Sequence, residues 1–394
     1  MKSLRQMVKL IFHGAVHGLF FALFLLGLPL FHLSRLLRRL FRRRPRILWG
    51  PTPIINIATN AAADRLFGYK SDTLVYETYY ITSDFTWSME RSIGRRMGPL
   101  VVPLAVFLWA CLSYDIFQFY FDGGFLGRTW LRCWELPLLC AAGKIVIVST
   151  YGSDVRVRSR TLALGPYNGC MHCKAPGKAC ICDDEKASRN IAHVRRYAHA
   201  MLAMGDMREY VPATVTGIYF WAIDTEKVPY VGQPASEGPL LVLHAPNHPE
   251  YKGTEHLLKV IEELKREGAP IELLLVQKVS NREALELYKK AHIVAEQFLI
   301  GWYGYFAVES MALGKPVIAF IRKPSLYLPG EAECPIVSAN PDSLKEALRV
   351  LIENPLLREE LGEKGRSYVE KVHSLKAVGA KMDCLYRELS GYRY

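Results

Sequence analysis

At 394 residues, with 50% hydrophobic and 22% charged residues, the chain carries enough apolar material for two ordinary domains and an appendage, which excludes a disordered protein. Its formal net charge of +12 favours anionic partners, and nucleic acid, anionic lipid and nucleotide phosphates all meet that condition.

The chain begins with an uncharged, aliphatic and Phe-rich run, "LIFHGAVHGLFFALFLLGLPLFHLS" at 10–34, followed by the basic "LSRLLRRLFRRRPRI" at 33–47. That pairing predicts a membrane contact with an anionic surface, and residues 1–46 form an apolar membrane-associating segment with a basic collar. The run is long enough to span a bilayer, while Pro29, three glycines and three histidines equally suit a monotopic, interfacial helix. Arg35, Arg38, Arg39, Arg42, Arg43, Arg44 and Arg46 outnumber Lys2, Arg5 and Lys9, so the positive-inside bias places the domain after this collar at the cytoplasmic face. A second apolar stretch, "MGPLVVPLAVFLWACLS" at 97–113, reads as a core or interfacial helix.

From residue 47 strand-like runs alternate with helical ones: "RILWG", "PIINIATNAAADRLF", "DTLVYETYYIT", "DIFQFYF" and "KIVIVSTYG". This rhythm predicts a parallel sheet with crossover helices over 47–233. An insertion at about 165–186 holds "CMHCKAPGKACIC", a CxxC followed six residues later by CxC. Four thiols so close, Cys170, Cys173, Cys180 and Cys182, suit one structural Zn²⁺; an iron–sulfur cluster or unliganded thiols are the alternatives, and His172 is an awkward substitute ligand.

The turn-like "PASEG" at 234–238 marks a boundary, and the rhythm restarts over 234–394 with "PLLVLHAP", a helix from an N-capping Thr254, "PIELLLVQ" and "HIVAEQFLI". Then comes "GWYGYFAVESMALGKPVIAF" at 301–320: Gly304 precedes a short helix, Gly314 is its C′ residue and Pro316 blocks continuation. A glycine loop entering a helix N-terminus suits a phosphate, and Glu309, one turn in, suits sugar hydroxyls. Together they point to a nucleotide sugar. As a purely structural residue, Glu309 would favour the helix start by about 0.3–1 kcal/mol.

"YFAVESMALGKPVIAF", "HAPNHPEYKGTEHLLKVIEEL", "EALRVLIENPLLREELGEKGRSYVEKVHS" and "GKIVIVSTYGSDVR" resemble stretches of the retaining GT-B glycosyltransferases of the family 4 kind. The resemblance covers about 47–390 and is strongest after 239. It implies an α/β fold of the GT-B type, two Rossmann-like doubly wound domains facing a cleft, with the N-terminal apolar helix and the Cys-rich insertion as additions. It implies a hexosyltransferase-like enzyme with a nucleotide-sugar donor on the C-terminal domain and an acceptor on the N-terminal one; the N-terminal apolar segment points to a lipid-linked or polysaccharide acceptor. Lys252 and Glu309 would act on the donor phosphates and ribose, with Gly253, Tyr303, Gly304 and Tyr305 around them; Asp154 and Arg156 would reach the acceptor or the phosphates.

Three positions depart from the family pattern. Gly301 stands where its first motif glutamate belongs, Asn247 where an arginine belongs, and Tyr151 where a histidine often stands. A variant donor site or a catalytically silent GT-B-like scaffold follows from these losses. Neither GxGxxG nor GxxxxGK[ST] occurs, so dehydrogenase and P-loop readings fail. Basic residues are not interleaved with aromatics, which speaks against nucleic acid as partner.

Overall fold

The computed structural model describes residues 2–92, 100–171, 173, 176–177, 180–235, 238–330 and 332–391. Residues 97–99 of the second apolar stretch, His172 of the cysteine insertion and residues 236 and 237 of the boundary segment lie outside the described residues.

The first sheet contains β1 (Arg46–Trp49), β2 (Lys70–Val75), β3 (Trp87–Ser88), β4 (Ile116–Tyr120), β5 (Ile145–Ser149) and β6 (Ala200–Leu202), in the order β3-β2-β1-β4-β5-β6. All its pairings are parallel, with Ile47 opposite Ile116 and Ile116 opposite Ile145. Every residue of β4 and β5 is buried, as expected for central strands covered by helices on both faces. The second sheet contains β7 (Leu240–His244), β8 (Ile271–Leu275), β9 (Ile293–Ala295), β10 (Val317–Ala319) and β11 (Val337–Ser338), in the order β11-β10-β9-β7-β8. Strand order reverses between β1 and β4 in one sheet and between β7 and β9 in the other. Such reversals open a crevice at the carboxyl ends of the strands.

Helix Thr254–Arg266 shows why the sequence folds this way locally. Leu257, Val260, Ile261 and Leu264 recur at helical spacing and are buried, while Glu255 begins the helix and Lys265 and Arg266 end it, matching its dipole. Thr254 is not its N-cap. Gly253, at φ 77°, makes the turn, and the Thr254 hydroxyl bonds His244 instead.

The N-terminal helix runs from Lys2 to Leu40 and lies against helix Val101–Ser113, where the Phe20 and Phe24 rings lie tilted against Phe107 at 6.0 and 6.2 Å. Its C-terminal end is fixed by an Arg38–Asp115 ion pair at 2.9 Å. The second apolar stretch therefore takes the core position, through Leu104, Phe107, Ala110 and Cys111.

The last helix, Leu375–Ser390, returns to the first domain. Asp64 there accepts hydrogen bonds from Trp49 Nε1 (2.8 Å), Ser71 Oγ (2.7 Å) and Tyr386 Oη (3.0 Å), and Gln118 Nε2 donates to Tyr386 Oη at 2.9 Å. Burial raises Asp64 to about 6 despite these donors. Gly379 makes the close approach possible: a Cβ there would stand 2.7 Å from the Phe67 ring and 2.9 Å from the Ala63 carbonyl oxygen. Gly379→Leu is expected to cost about 1–3 kcal/mol in urea unfolding by overpacking this joint. Gly330→Leu, where a Cβ meets nothing within 4 Å, is expected to change the midpoint little.

Candidate functional site

β7 ends at His244, and the chain then forms the short helix Pro249–Lys252 before turning at Gly253. The buried His244 ring bonds the Ala295 carbonyl (2.7 Å) through Nδ1 and the Thr254 hydroxyl (2.8 Å) through Nε2. A carbonyl only accepts, so Nδ1 carries the proton. Burial lowers His244 to about 4 and keeps the ring neutral. β7, the end of β9 and helix Thr254–Arg266 are thereby pinned together.

Beside this pin lies Glu296, one residue past β9 and fully buried. Its carboxylate accepts from Lys252 Nζ at 3.3 Å, and Gly304 N–H donates to both its oxygens at 2.9 Å. Burial raises the Glu296 pKa, with the charge of Lys252 opposing the shift. Lys252 keeps 16% of its side chain exposed and lies 5.8 Å from the centre of the Phe306 ring. The Gly304 amide, expected to meet a phosphate, is instead bonded to Glu296.

Glu309 lies on helix Tyr305–Ala312, buried, with Asn281 Nδ2 donating to its Oε1 at 2.6 Å. Burial pushes it up to about 8, and the Asn281 bond only partly offsets that. The Asn281 backbone N–H also donates to Ile81 O at 3.1 Å, so a loop of the first domain meets the second at this point.

Other expected residues are placed differently. Tyr303 is turned into the core, its hydroxyl 2.9 Å from both Tyr368 Oη and His373 Nε2, so its side chain cannot line a donor. Tyr305 donates to Ala222 O at 2.9 Å, in the segment joining the domains. Asp154 is buried and accepts from the N–H groups of Tyr151, Gly152 and Phe121 at 3.1, 2.8 and 3.2 Å, which braces the turn after β5. Burial, with nearby Asp122, raises it to about 7. Arg156 pairs with buried Asp206 through Nε (2.9 Å) and Nη2 (2.7 Å). Gly301 sits at φ 89°, where a Cβ would meet Arg322 Nη1 at 2.3 Å. The guanidinium of Arg322, donating to Ile300 O and Tyr167 O, closes the place where the family's first glutamate would stand.

The expected zinc site is not seen among the described residues. Among the described residues no three Cys, His, Asp or Glu side chains converge on a point that would hold a metal ion. Cys180 Sγ lies 3.1 Å and Cys170 Sγ 4.0 Å from Tyr251 Oη, so these thiols address a tyrosine of the second domain. Burial raises the pKa of both thiols.

Glu296, Asn281, Asp206 and Arg322 are not singled out by sequence pattern. Glu296 alone leaves a signal: it is a single acid inside the apolar run "HIVAEQFLI".

No protein-family model matches the chain, and no curated protein matches it significantly. Solved structures do. Sucrose-phosphate synthase from Thermosynechococcus elongatus is 16% identical, with a TM-score of 0.59 over 89% of this chain and 100% of that one. The chain has the GT-B fold. WaaG, a glycosyltransferase involved in lipopolysaccharide biosynthesis, is 12% identical (TM-score 0.47; 88% and 100% covered), and the S. aureus MnaA–UDP structure is 10% identical (TM-score 0.49; 88% and 97% covered). At these identities the likeness is one of fold.

The raised Glu309 carboxyl gives a stability test. The unfolded chain ionises near 4.5 and the folded chain near 8, so the stability of the protonated group is complete below 4.5 and is lost as pH rises towards 8. Glu309→Gln is therefore expected to gain on the wild type across that interval, by at most about 1.4 kcal/mol per pH unit, in urea midpoints taken from pH 5 to 8.

Proposed function

We propose that the protein is a membrane-associated glycosyltransferase that moves a sugar from a nucleotide-sugar donor to a lipid-linked or polysaccharide acceptor, with retention, at the cytoplasmic face. One observation carries this reading: on a GT-B frame, Lys252 and Glu309 lie beyond the carboxyl ends of the second sheet's central strands, where such sheets take their ligands.

Lys252 answers the main demand of the reaction. The bond between the sugar's anomeric carbon and the diphosphate oxygen breaks as a bond to the acceptor oxygen forms on the same face. The acceptor's proton passes to the departing phosphate. Charge growing on that phosphate is met by the Lys252 ammonium, which Glu296 holds in place. Glu309 receives ribose hydroxyls once Asn281 yields or shares its oxygen. Membrane association rests on the apolar N-terminal helix and its arginine collar, and the cytoplasmic side on the excess of arginine after the helix.

Gly301 supports a second reading, a catalytically silent GT-B-like scaffold, because Arg322 fills the space a motif carboxylate would use. A panel of nucleotide sugars, followed by calorimetry and by released nucleotide, separates the two. The expected outcome is one donor bound and turned over, with Lys252→Ala and Glu309→Ala each weakening binding at least about tenfold. Hydroxyl donation to Glu309 favours its ionised form, so affinity is also expected to rise from pH 6 to 8 with release of a proton. Donor binding without nucleotide release in the presence of acceptors selects the scaffold. No binding to any donor by a folded sample rejects both.

A further inference from the structure

Resting on the membrane part of that reading, we infer that the N-terminal helix lies in the plane of one leaflet as a fixed part of the first domain, and that it brings the acceptor cavity to the lipid surface.

The helix touches the domain from His13 to Arg38. His17 stacks on Trp130 at 5.1 Å and His13 lies tilted against the same ring at 5.1 Å, Phe20 and Phe24 meet Phe107, His32 Nε2 bonds Ala141 O at 3.0 Å, and Arg38 pairs with Asp115. Arg35 adds a bond to Gly143 O. Among the described contacts with the domain, the first falls at residue 13. The helical residues ahead of it, 2–12, reach about 16 Å at 1.5 Å per residue. A hydrocarbon core is about 30 Å thick. Crossing it would require the helix to leave the domain, abandoning the aromatic stack and the buried Asp115 partner.

The outward face is built for lipid. Leu19, Leu23, Leu26, Leu30, Leu33 and Leu37 form one stripe at alternating spacings of four and three, each between 43% and 75% exposed. No Asp, Glu, Lys or Arg occurs from 10 to 34, and exposed Arg42 and Arg43 follow the helix. The spacing would also suit a seam with a second copy. A water-exposed seam, however, is flanked by charged residues, and here the flanks hold Ala22, Gly27, Pro29 and Leu36, while the apolar band widens to Leu25. Exposed Trp130 and Trp134 stand at the far end from the arginines, as aromatic residues do where protein meets the interface. A band this long and this apolar, ending in cations, fits an anionic leaflet.

The direction of the helix then locates the cavity. Its residues 13–17 meet Trp130, in the loop after the carboxyl end of β4, and residues 35–38 meet Gly143 and Asp115, just before the amino ends of β5 and β4. The helix thus runs antiparallel to the strands, with its early residues at the crevice side. A cavity of about 250 Å³ opens there, lined by Thr52, Tyr76, Glu77, Asp122 and Arg128, the last only two residues from Trp130. The polar groups in that lining, Thr52, Glu77, Asp122 and Arg128, suit hydroxyl-bearing groups, and its place beside the leaflet suits an acceptor whose carrier stays in the lipid.

The test uses the full chain with an N-terminal tag and sealed phosphatidylcholine vesicles with and without phosphatidylglycerol. The expected result is flotation with the anionic vesicles, complete removal of the tag by protease added outside, and a loss of bound protein of at least about tenfold for Leu19→Glu/Leu26→Glu. These residues are exposed, so the fold should be kept, and Leu356→Glu, 79% exposed on a C-terminal helix, should float like the wild type. A tag protected inside the vesicles would show a spanning helix and overturn the in-plane arrangement while leaving membrane association intact. Flotation unaffected by the double substitution would overturn the assigned face. No flotation, with a lipid-free dimer that the double substitution dissociates, would overturn both the arrangement and the membrane part of the proposed function.

Discussion

A carboxylate with no exposed surface organises the second domain's site. Glu296 binds an ammonium from one loop and a backbone amide from the next, so Lys252 and the start of helix Tyr305–Ala312 cannot move independently. Leaving such a charge unpaired in the interior would be costly, and that cost fixes the two loops relative to each other. The neutral His244 does the same beneath them, joining β9 to the helix after Gly253. The site is stiff because its polar groups are already occupied, and the side chain that keeps some exposure, Lys252, is the one suited to meet an anion.

The two domains are joined by more than the connecting segment. Ile223 N–H donates to His373 O and Ile223 O accepts from Leu375 N–H across the join, His373 Nδ1 bonds Trp221 O at 3.1 Å, and the last helix completes the polar cluster around Asp64. On the cleft side, Tyr251 meets the thiols of Cys170 and Cys180, and Gly205 faces the Trp302 ring so closely that a Cβ would stand 2.3 Å away. The cysteine insertion is therefore a contact of the first domain with the residue next to Lys252.

Much of the fold could be read in the sequence because it rests on local pattern. Runs such as "DIFQFYF" and "KIVIVSTYG" are mainly apolar, and became the central strands β4 and β5; Gly314, at φ 80°, ends its helix as a C′ glycine should. The site was less legible because its logic is tertiary. Spacing showed that Gly304 could face an anion, but not that an acid eight residues earlier already did so. Tyr303 looked like a loop aromatic, and only the later residues Tyr368 and His373 turn it inward. Four close cysteines suggested a common centre, while backbone geometry sent two of them towards Tyr251. Thr254 had the composition of a cap, yet Gly253 supplied the left-handed turn and freed the hydroxyl for His244.

The return of the last helix also bears on how the chain is made. Asp64 and Tyr386 are 322 residues apart in sequence, so the first domain's sheet emerges from the ribosome long before the hydroxyl that completes its buried cluster. At 5–20 residues per second the interval is roughly 16–64 s. Throughout it, the carboxyl of Asp64 has only Trp49 and Ser71 from its own domain, and the groove beside Phe67 lies open. The buried cluster of the first domain is thus completed only by the end of the second, even though each has a sheet of its own.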